Sequence, residues 1–192
     1  MKIGFFGGTF NPPHKGHEKI IDYCSKLFDK ILIFPNMISP HKLDSPPIDY
    51  IHRVNMLELI IKHNNVVIDT YEIKSELSNY SCYTVEYLLN KYKGSSLFMI
   101  LGRDQFLNLN NWHNINFILK NTNILCFDRK GYTKINHNIN KFSLDSNAEV
   151  VDFDFPVSSS VIREKIYKHE QITDSFISRE VKEYIHEHNL YI

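Results

Sequence analysis

The sequence has no surplus of charge of either sign and little cysteine, and both shortages narrow what it can be. Its 22 lysines and arginines balance 22 aspartates and glutamates. A protein that holds nucleic acid or a membrane surface by bulk charge carries a basic excess; this chain has none, although a local positive pocket is compatible with zero net charge. Three cysteines, Cys24, Cys82 and Cys126, are odd in number and widely spaced, which fits neither a disulfide framework nor a zinc cluster and suits a reducing compartment. No run approaches the roughly 20 apolar residues needed to cross a bilayer, and the opening segment lacks the continuous apolar core and cleavage pattern of a signal peptide. The expectation is a cytoplasmic protein. Hydrophobic residues make up 43% and aromatics 13% of 192 residues, enough to exclude global disorder and to fill one core. With no internal repeat and no evident linker, residues 1–192 read as a single domain whose 158–192 portion is helical.

Apolar runs at Lys2–Phe6, Lys30–Phe34, Val66–Ile73, Leu97–Leu101, Asn123–Phe127 and Ala148–Phe153 predict strands. Between them, helical spacing marks Tyr50–His63 through Val54, Leu57, Ile60 and Ile61, and Ser81–Tyr92 through Val85, Leu88 and Leu89, with Gly94 as a stop. Short helical pieces are expected around Trp112, and two helices, Ser160–His169 and Ser178–His188, close the chain. Pro35–Pro47 reads as a long loop, and the asparagine-rich Gly131–Asn147 as a surface loop without chemistry. Strands alternating with helices predict an α/β fold: a Rossmann-like, doubly wound parallel sheet with helices on both faces, whose ligands bind beyond the carboxyl ends of the strands.

One stretch stands out, Gly4-Phe5-Phe6-Gly7-Gly8-Thr9-Phe10-Asn11-Pro12-Pro13-His14-Lys15-Gly16-His17. The strand breaks at Gly7-Gly8, where the chain turns without side-chain penalty. Pro13 suits a first helical turn, and Ile20, Ile21, Cys24, Leu27 and Phe28 recur at helical spacing. A helix start favours acidic side chains, yet His14, Lys15 and His17 stand here, an arrangement that makes sense around an anion. Val157–Arg163 repeats the pattern. Serines at a helix start are ordinary caps, but Arg163 in a first turn lies at the positive end and calls for an anionic partner.

Thr9 with His14-Lys15-Gly16-His17 resembles the T/HxGH signature of the nucleotidyltransferase superfamily. GGTFNPPHKGH, SPHK, YSCYTVEYL, LGRDQFLNLNNW, FDRKG, SSSVIR and REVKEYIHEHNLY follow the order and approximate spacing of the bacterial-type nicotinate-nucleotide adenylyltransferases, so the resemblance covers nearly the whole chain. It implies transfer of AMP from ATP to nicotinate mononucleotide, giving deamido-NAD and pyrophosphate, with Mg2+ held mainly by the ATP phosphates. Direct attack by the substrate phosphate needs no enzyme nucleophile, and no Ser-His-Asp set is evident.

By the same resemblance, His14, His17 and Arg163 carry the catalysis. Gly7, Gly8, Thr9 and Phe10 line the ATP phosphates, Gly16 leaves room for the nucleotide, and Lys42, Ser159 and Ser160 contact phosphate. Gly102 and Asp104 take adenosine. Tyr83 and Thr84, in a helix's first turn, would receive the nicotinate carboxylate, Trp112 would stack on the pyridine, and Arg129 belongs to the same subsite. The chain departs from the family pattern at Cys82, Lys130 and Ser178. Implied partners are ATP and nicotinate mononucleotide, with neither nucleic acid nor membrane; a homo-oligomer is left open. Alternatives are an adenylyltransferase for nicotinamide mononucleotide or another phosphorylated acceptor, a cytidylyltransferase, or a nucleotide-binding regulator without turnover.

Overall fold

Along the first strand, β1 (Lys2–Gly8), Ile3 and Phe5 pack to one side and Phe6 to the other, the two-residue period of extended backbone. The strands that follow are β2 (Lys30–Pro35), β3 (Val66–Ile68), β4 (Ser96–Gly102), β5 (Asn123–Arg129) and β6 (Ala148–Phe153). The computed structural model describes residues 1–37, 46–75, 80–129 and 148–192. Its six strands form one sheet in the order β3-β2-β1-β4-β5-β6, every pairing parallel.

The helices are α1 (Lys15–Cys24), α2 (Tyr50–Ile60), α3 (Tyr71–Lys74), α4 (Ser81–Lys91), α5 (Arg103–Leu107), α6 (Ile115–Asn121), α7 (Ser159–Tyr167) and α8 (Arg179–Glu187), with a 3-10 turn at Leu109–Asn111. Ile21 of α1, Leu57 of α2, Ile162 of α7 and Val181 of α8 bury themselves against Phe6, Ile33, Ile100 and Leu125. On the opposite face, Val85 and Leu88 of α4, Phe106 of α5 and Ile118 of α6 cover Ile3, Phe5, Leu32, Met99 and Cys126. Strands buried on both faces explain why they read as near-continuous apolar runs. The expected Rossmann-like architecture is the observed one.

Several boundaries differ from the sequence reading. The run Val66–Ile73 pairs with β2 only through Val66, Val67 and Ile68. Asp69 Oδ1 then accepts the Tyr71 N–H at 3.0 Å, and that side-chain turn starts α3 instead of continuing the strand. Helix α1 begins at Lys15 with His14 as its N-cap, so Pro13 precedes the helix. Helix α2 stops at Ile60 and buries Arg53 and Met56 beside Leu57 and Ile60, a charged member that an apolar stripe does not reveal. The asparagine-rich stretch 131–147 and much of the loop 35–47, including Lys42, lie outside the described residues.

The three cysteines are free and buried. No described helix is long and apolar enough to cross a membrane. The chain leaves β1 toward β2 and β3 on one side, then returns to β1's other edge with β4, β5 and β6. That reversal opens a crevice at the carboxyl ends of β1 and β4, where open α/β sheets bind ligands.

Candidate active site

A cavity of about 590 Å³ occupies this crevice, within the span of small-molecule sites. Gly7 and Gly8 at the end of β1, Gly102 at the end of β4, the 9–11 loop, the start of α1 and the start of α7 all line it.

Helix α1 closes its own start. His14 Nδ1 accepts the Gly16 N–H and His17 Nδ1 accepts the His14 N–H, each at 3.1 Å, a reciprocal capping box built from imidazoles. The Lys15 N–H donates to the carbonyl of Phe176 at 2.9 Å. The amides of Lys15 and Gly16 are therefore taken by the protein, which corrects the expectation of open donors at this helix start. Since both Nδ1 atoms accept, a neutral ring carries its proton on Nε2, and each histidine is a hydrogen-bond donor on that edge. Lys15 is also satisfied, by an ion pair with buried Glu18 at 2.7 Å. The first turn thus holds the acid that helix starts favour, and the electrostatic anomaly narrows to the two histidines.

The histidine rings stack with centroids 3.7 Å apart. Phe155, from the segment between β6 and α7, stacks on the far side of His14 at 5.3 Å, and Phe10 meets His17 edge-on at 4.9 Å. A methyl group at Gly16 would stand 2.5 Å from Phe155 Cδ1 and 2.8 Å from His14 Cε1. The room that Gly16 leaves is filled by these rings.

The carbonyls of the loop after β1 are taken up by hydrogen bonds within the protein. Asn36 N–H donates to Gly8 O at 3.0 Å. Arg53, 1% exposed, donates from Nη1 to Thr9 O at 2.8 Å and to Asn36 O at 2.7 Å, and from Nε to Ile48 O at 3.1 Å. A trans peptide points its N–H opposite to its C=O, so the N–H groups of Thr9 and Phe10 are directed away from these partners. Arg163 Nη1 donates to Asn11 O at 2.7 Å, and Ser159 Oγ donates to Pro12 O at 2.8 Å.

Arg163 sits in the second turn of α7, not the first as the sequence suggested, because Ser158 is the cap and accepts the Val161 N–H. Its Nη2 reaches Ser160 Oγ at 3.4 Å. Ser158, Ser159, Ser160 and Arg163 all line the cavity.

At the opposite wall, a methyl group at Gly102 would meet no protein atom within 4 Å, so the protein's own packing gives no reason for glycine there. Asp104 lies exposed in the first turn of α5 and lines the cavity. Its neighbour Arg103 pairs with Asp128 of β5 at 2.6 Å, each side chain 10% exposed, which fixes α5 against the sheet. Trp112, Tyr80, Ser81 and His113 also line this wall; the Tyr80 and His113 rings lie 4.7 Å apart.

Tyr83 and Thr84 are placed elsewhere. The Tyr83 N–H is bonded to Tyr80 O at 3.0 Å. Thr84 is buried, with Oγ1 donating to Glu72 Oε1 at 2.7 Å, and neither residue lines the cavity. The residues of this helix start that do are Tyr80 and Ser81. Burial pushes the Glu72 carboxyl up to about 7, against the lowering by Thr84 and with a smaller push from Asp69. Arg129 closes β5 and its backbone alone is described.

Sequence reasoning missed Asn36, Arg53, His113, Phe155 and Ser158. Ser158 was findable as the first serine before the helix; Arg53 left no signal, because it reads as an ordinary charge on an amphipathic helix.

The cytidylyltransferase-like family matches residues 5–165. The nicotinate-nucleotide adenylyltransferase of Bacillus subtilis (strain 168) is 36% identical over 194 residues, covering 99% of this chain and 98% of that protein. A probable nicotinate-nucleotide adenylyltransferase of Clostridium perfringens (strain SM101 / Type A) is 33% identical over 198 residues, covering 99% and 98%. Among solved structures, the Plasmodium falciparum nicotinic acid mononucleotide adenylyltransferase complexed with NaAD superposes with a TM-score of 0.81 at 20% identity, covering 99% of this chain and 97% of that one. Identity of this order along the full length of both proteins, on a shared fold, places the chain in the nicotinate-nucleotide adenylyltransferase family.

Proposed function

We propose that this enzyme transfers the adenylyl group of ATP to nicotinate mononucleotide, a step of NAD biosynthesis. A phosphate oxygen of the mononucleotide attacks the α-phosphorus, the bond from that phosphorus to the bridging oxygen of the β-phosphate breaks, and pyrophosphate leaves with the electron pair. Deamido-NAD is the other product. The observation that carries this reading is the convergence of His14, His17 and Arg163 on the one cavity at the sheet's switch point.

In this reading His14 and His17 donate to oxygens that gain charge as the α-phosphorus is attacked, and Arg163 with Ser160 holds the outer phosphates. The N–H groups of Thr9 and Phe10 add donors without net charge. Gly102 and Asp104 receive adenosine, the carboxylate accepting from ribose hydroxyls. Trp112 covers the pyridine, and the positive end of α4 at Tyr80 and Ser81 receives the nicotinate carboxylate.

Among the described residues no three histidines, cysteines or carboxylates come together as metal ligands. A magnesium ion held mainly by the ATP phosphates would offset the charge of the polyphosphate. Three buried thiols accord with a reducing cytoplasm as the place of work.

Pyrophosphate release from ATP and magnesium, followed over a panel of phosphorylated acceptors, tests the reading. Nicotinate mononucleotide is expected to turn over much faster than nicotinamide mononucleotide. Equal rates would remove the acid preference, and release with neither would remove the assignment.

A further inference from the structure

Beyond α8 the backbone turns back toward the loop that follows β1. Asn189 and Tyr191 take φ values of 50° and 67°, a region that residues with side chains occupy only when their surroundings hold them there. Leu190 is buried, and its N–H closes on Ile185 O at 3.0 Å. The result carries the Tyr191 hydroxyl to Asn11 Oδ1 at 2.8 Å, a contact between residues 180 apart in sequence.

Asn11 is thereby gripped twice, its side chain by Tyr191 and its carbonyl by Arg163. It follows Phe10, itself at φ 49°, so a left-handed residue in the loop and another in the tail meet through one asparagine. The Tyr191 phenol is pushed up by burial and is close enough to feel the positive charge of Arg163 and Arg53. Those two guanidiniums hold the carbonyls of Asn11 and Thr9. A neutral hydroxyl donating to an amide oxygen completes that arrangement without adding charge beside the cavity.

We propose that Tyr191 is a positioning residue for adenylyl transfer: its hydroxyl, acting through Asn11, sets the backbone of the loop that faces the polyphosphate. This rests on the function proposed above. The ring's burial serves stability, whereas the hydroxyl serves loop geometry. Tyr191→Phe keeps the first and removes the second.

The test compares wild type with Tyr191→Phe, Asn11→Ala and the double variant, using ATP, magnesium and nicotinate mononucleotide. Tyr191→Phe is expected to lower kcat about tenfold, with a far smaller change in the KM of nicotinate mononucleotide. The double variant should be no slower than the slower single variant, since both remove one contact. A kcat within about twofold of wild type, or losses in the cycle that simply add, overturns the proposal. Hydrogen exchange supplies a readout independent of turnover: the peptide spanning residues 9–12 should exchange faster in Tyr191→Phe while that of α1 is unchanged. Unaltered exchange in residues 9–12 overturns the positioning role whatever the acceptor proves to be. Wild-type inactivity toward nicotinate mononucleotide with faster loop exchange in the variant removes the substrate assignment and keeps the role of Tyr191.

Discussion

Arg163 Nη1 lies 2.7 Å from the carbonyl oxygen of Asn11, across 152 residues of sequence. The start of α7 is thus tied to the loop after β1 through a guanidinium that also faces the cavity. A lysine keeps the charge and loses the planar fork, so it cannot hold Asn11 O and a phosphate in the same geometry. Arg163→Lys is expected to lower kcat/KM for ATP by roughly 10- to 100-fold, measured by pyrophosphate release. Wild-type efficiency in the lysine variant would show that charge alone suffices.

His17 both caps α1 through its Nδ1 and lines the cavity. Removal of its donor should lower kcat by about 10²- to 10⁴-fold, while the lost cap costs about 1 kcal/mol of stability. Parallel thermal melts and initial rates on His17→Ala separate the two. A rate loss no larger than that expected from partial unfolding would remove the chemical role.

Gly16 tests whether the ring stack matters for chemistry. Its missing side chain is the space that His14 and Phe155 occupy, so Gly16→Ala forces one of them to move, at about 1–3 kcal/mol. Adding Phe155→Leu should recover much of the stability. Activity should remain low if the His14 ring has lost its place, and full recovery of rate in the double variant would argue that the stack is merely packing.

Glu72 gives a pH signature. Its folded carboxyl titrates near 7 because burial disfavours the anion, whereas an unfolded glutamate titrates near ~4.3. The folded state therefore binds the proton more tightly, and the stability it confers is complete below the unfolded value and lost as pH rises through 7. Glu72→Gln keeps an acceptor for Thr84 and cannot ionise. Its melting temperature relative to wild type should rise between pH 5 and pH 8, by an amount equivalent to about 1–3 kcal/mol; a difference independent of pH would place the ionisation elsewhere.

The sheet was legible because its strands are covered on both faces, so Lys30–Phe34 and Leu97–Leu101 read as unbroken apolar runs. The strand at Val66 is shorter than the alternation of Val66–Ile73 predicts, because Asp69 turns the chain into a helix at Tyr71. The histidine pair and the serine run stood out because charged and hydroxyl side chains cluster at helix starts. What composed the rest of the site left no local trace. Arg53 reaches Thr9 over 44 residues and Tyr191 reaches Asn11 over 180, distances at which no periodicity or motif records a partnership. Thr84 was assigned to the substrate because a helix start was expected to be open; the partner that occupies its hydroxyl, Glu72, lay in the segment misread as strand.

The carbonyl that closes the first amide of α1 comes from Phe176, in the stretch between α7 and α8. A growing chain emits the glycine loop and both histidines first; Asn36 and Arg53 follow soon after, but Arg163, Phe176 and Tyr191 arrive among the last to be synthesised. Folding of this pocket must wait for distant partners, a topology associated with slow, late consolidation. A nascent chain halted before residue 159 would carry every letter of the opening motif without the contacts that Ser159, Arg163, Phe176 and Tyr191 make to it.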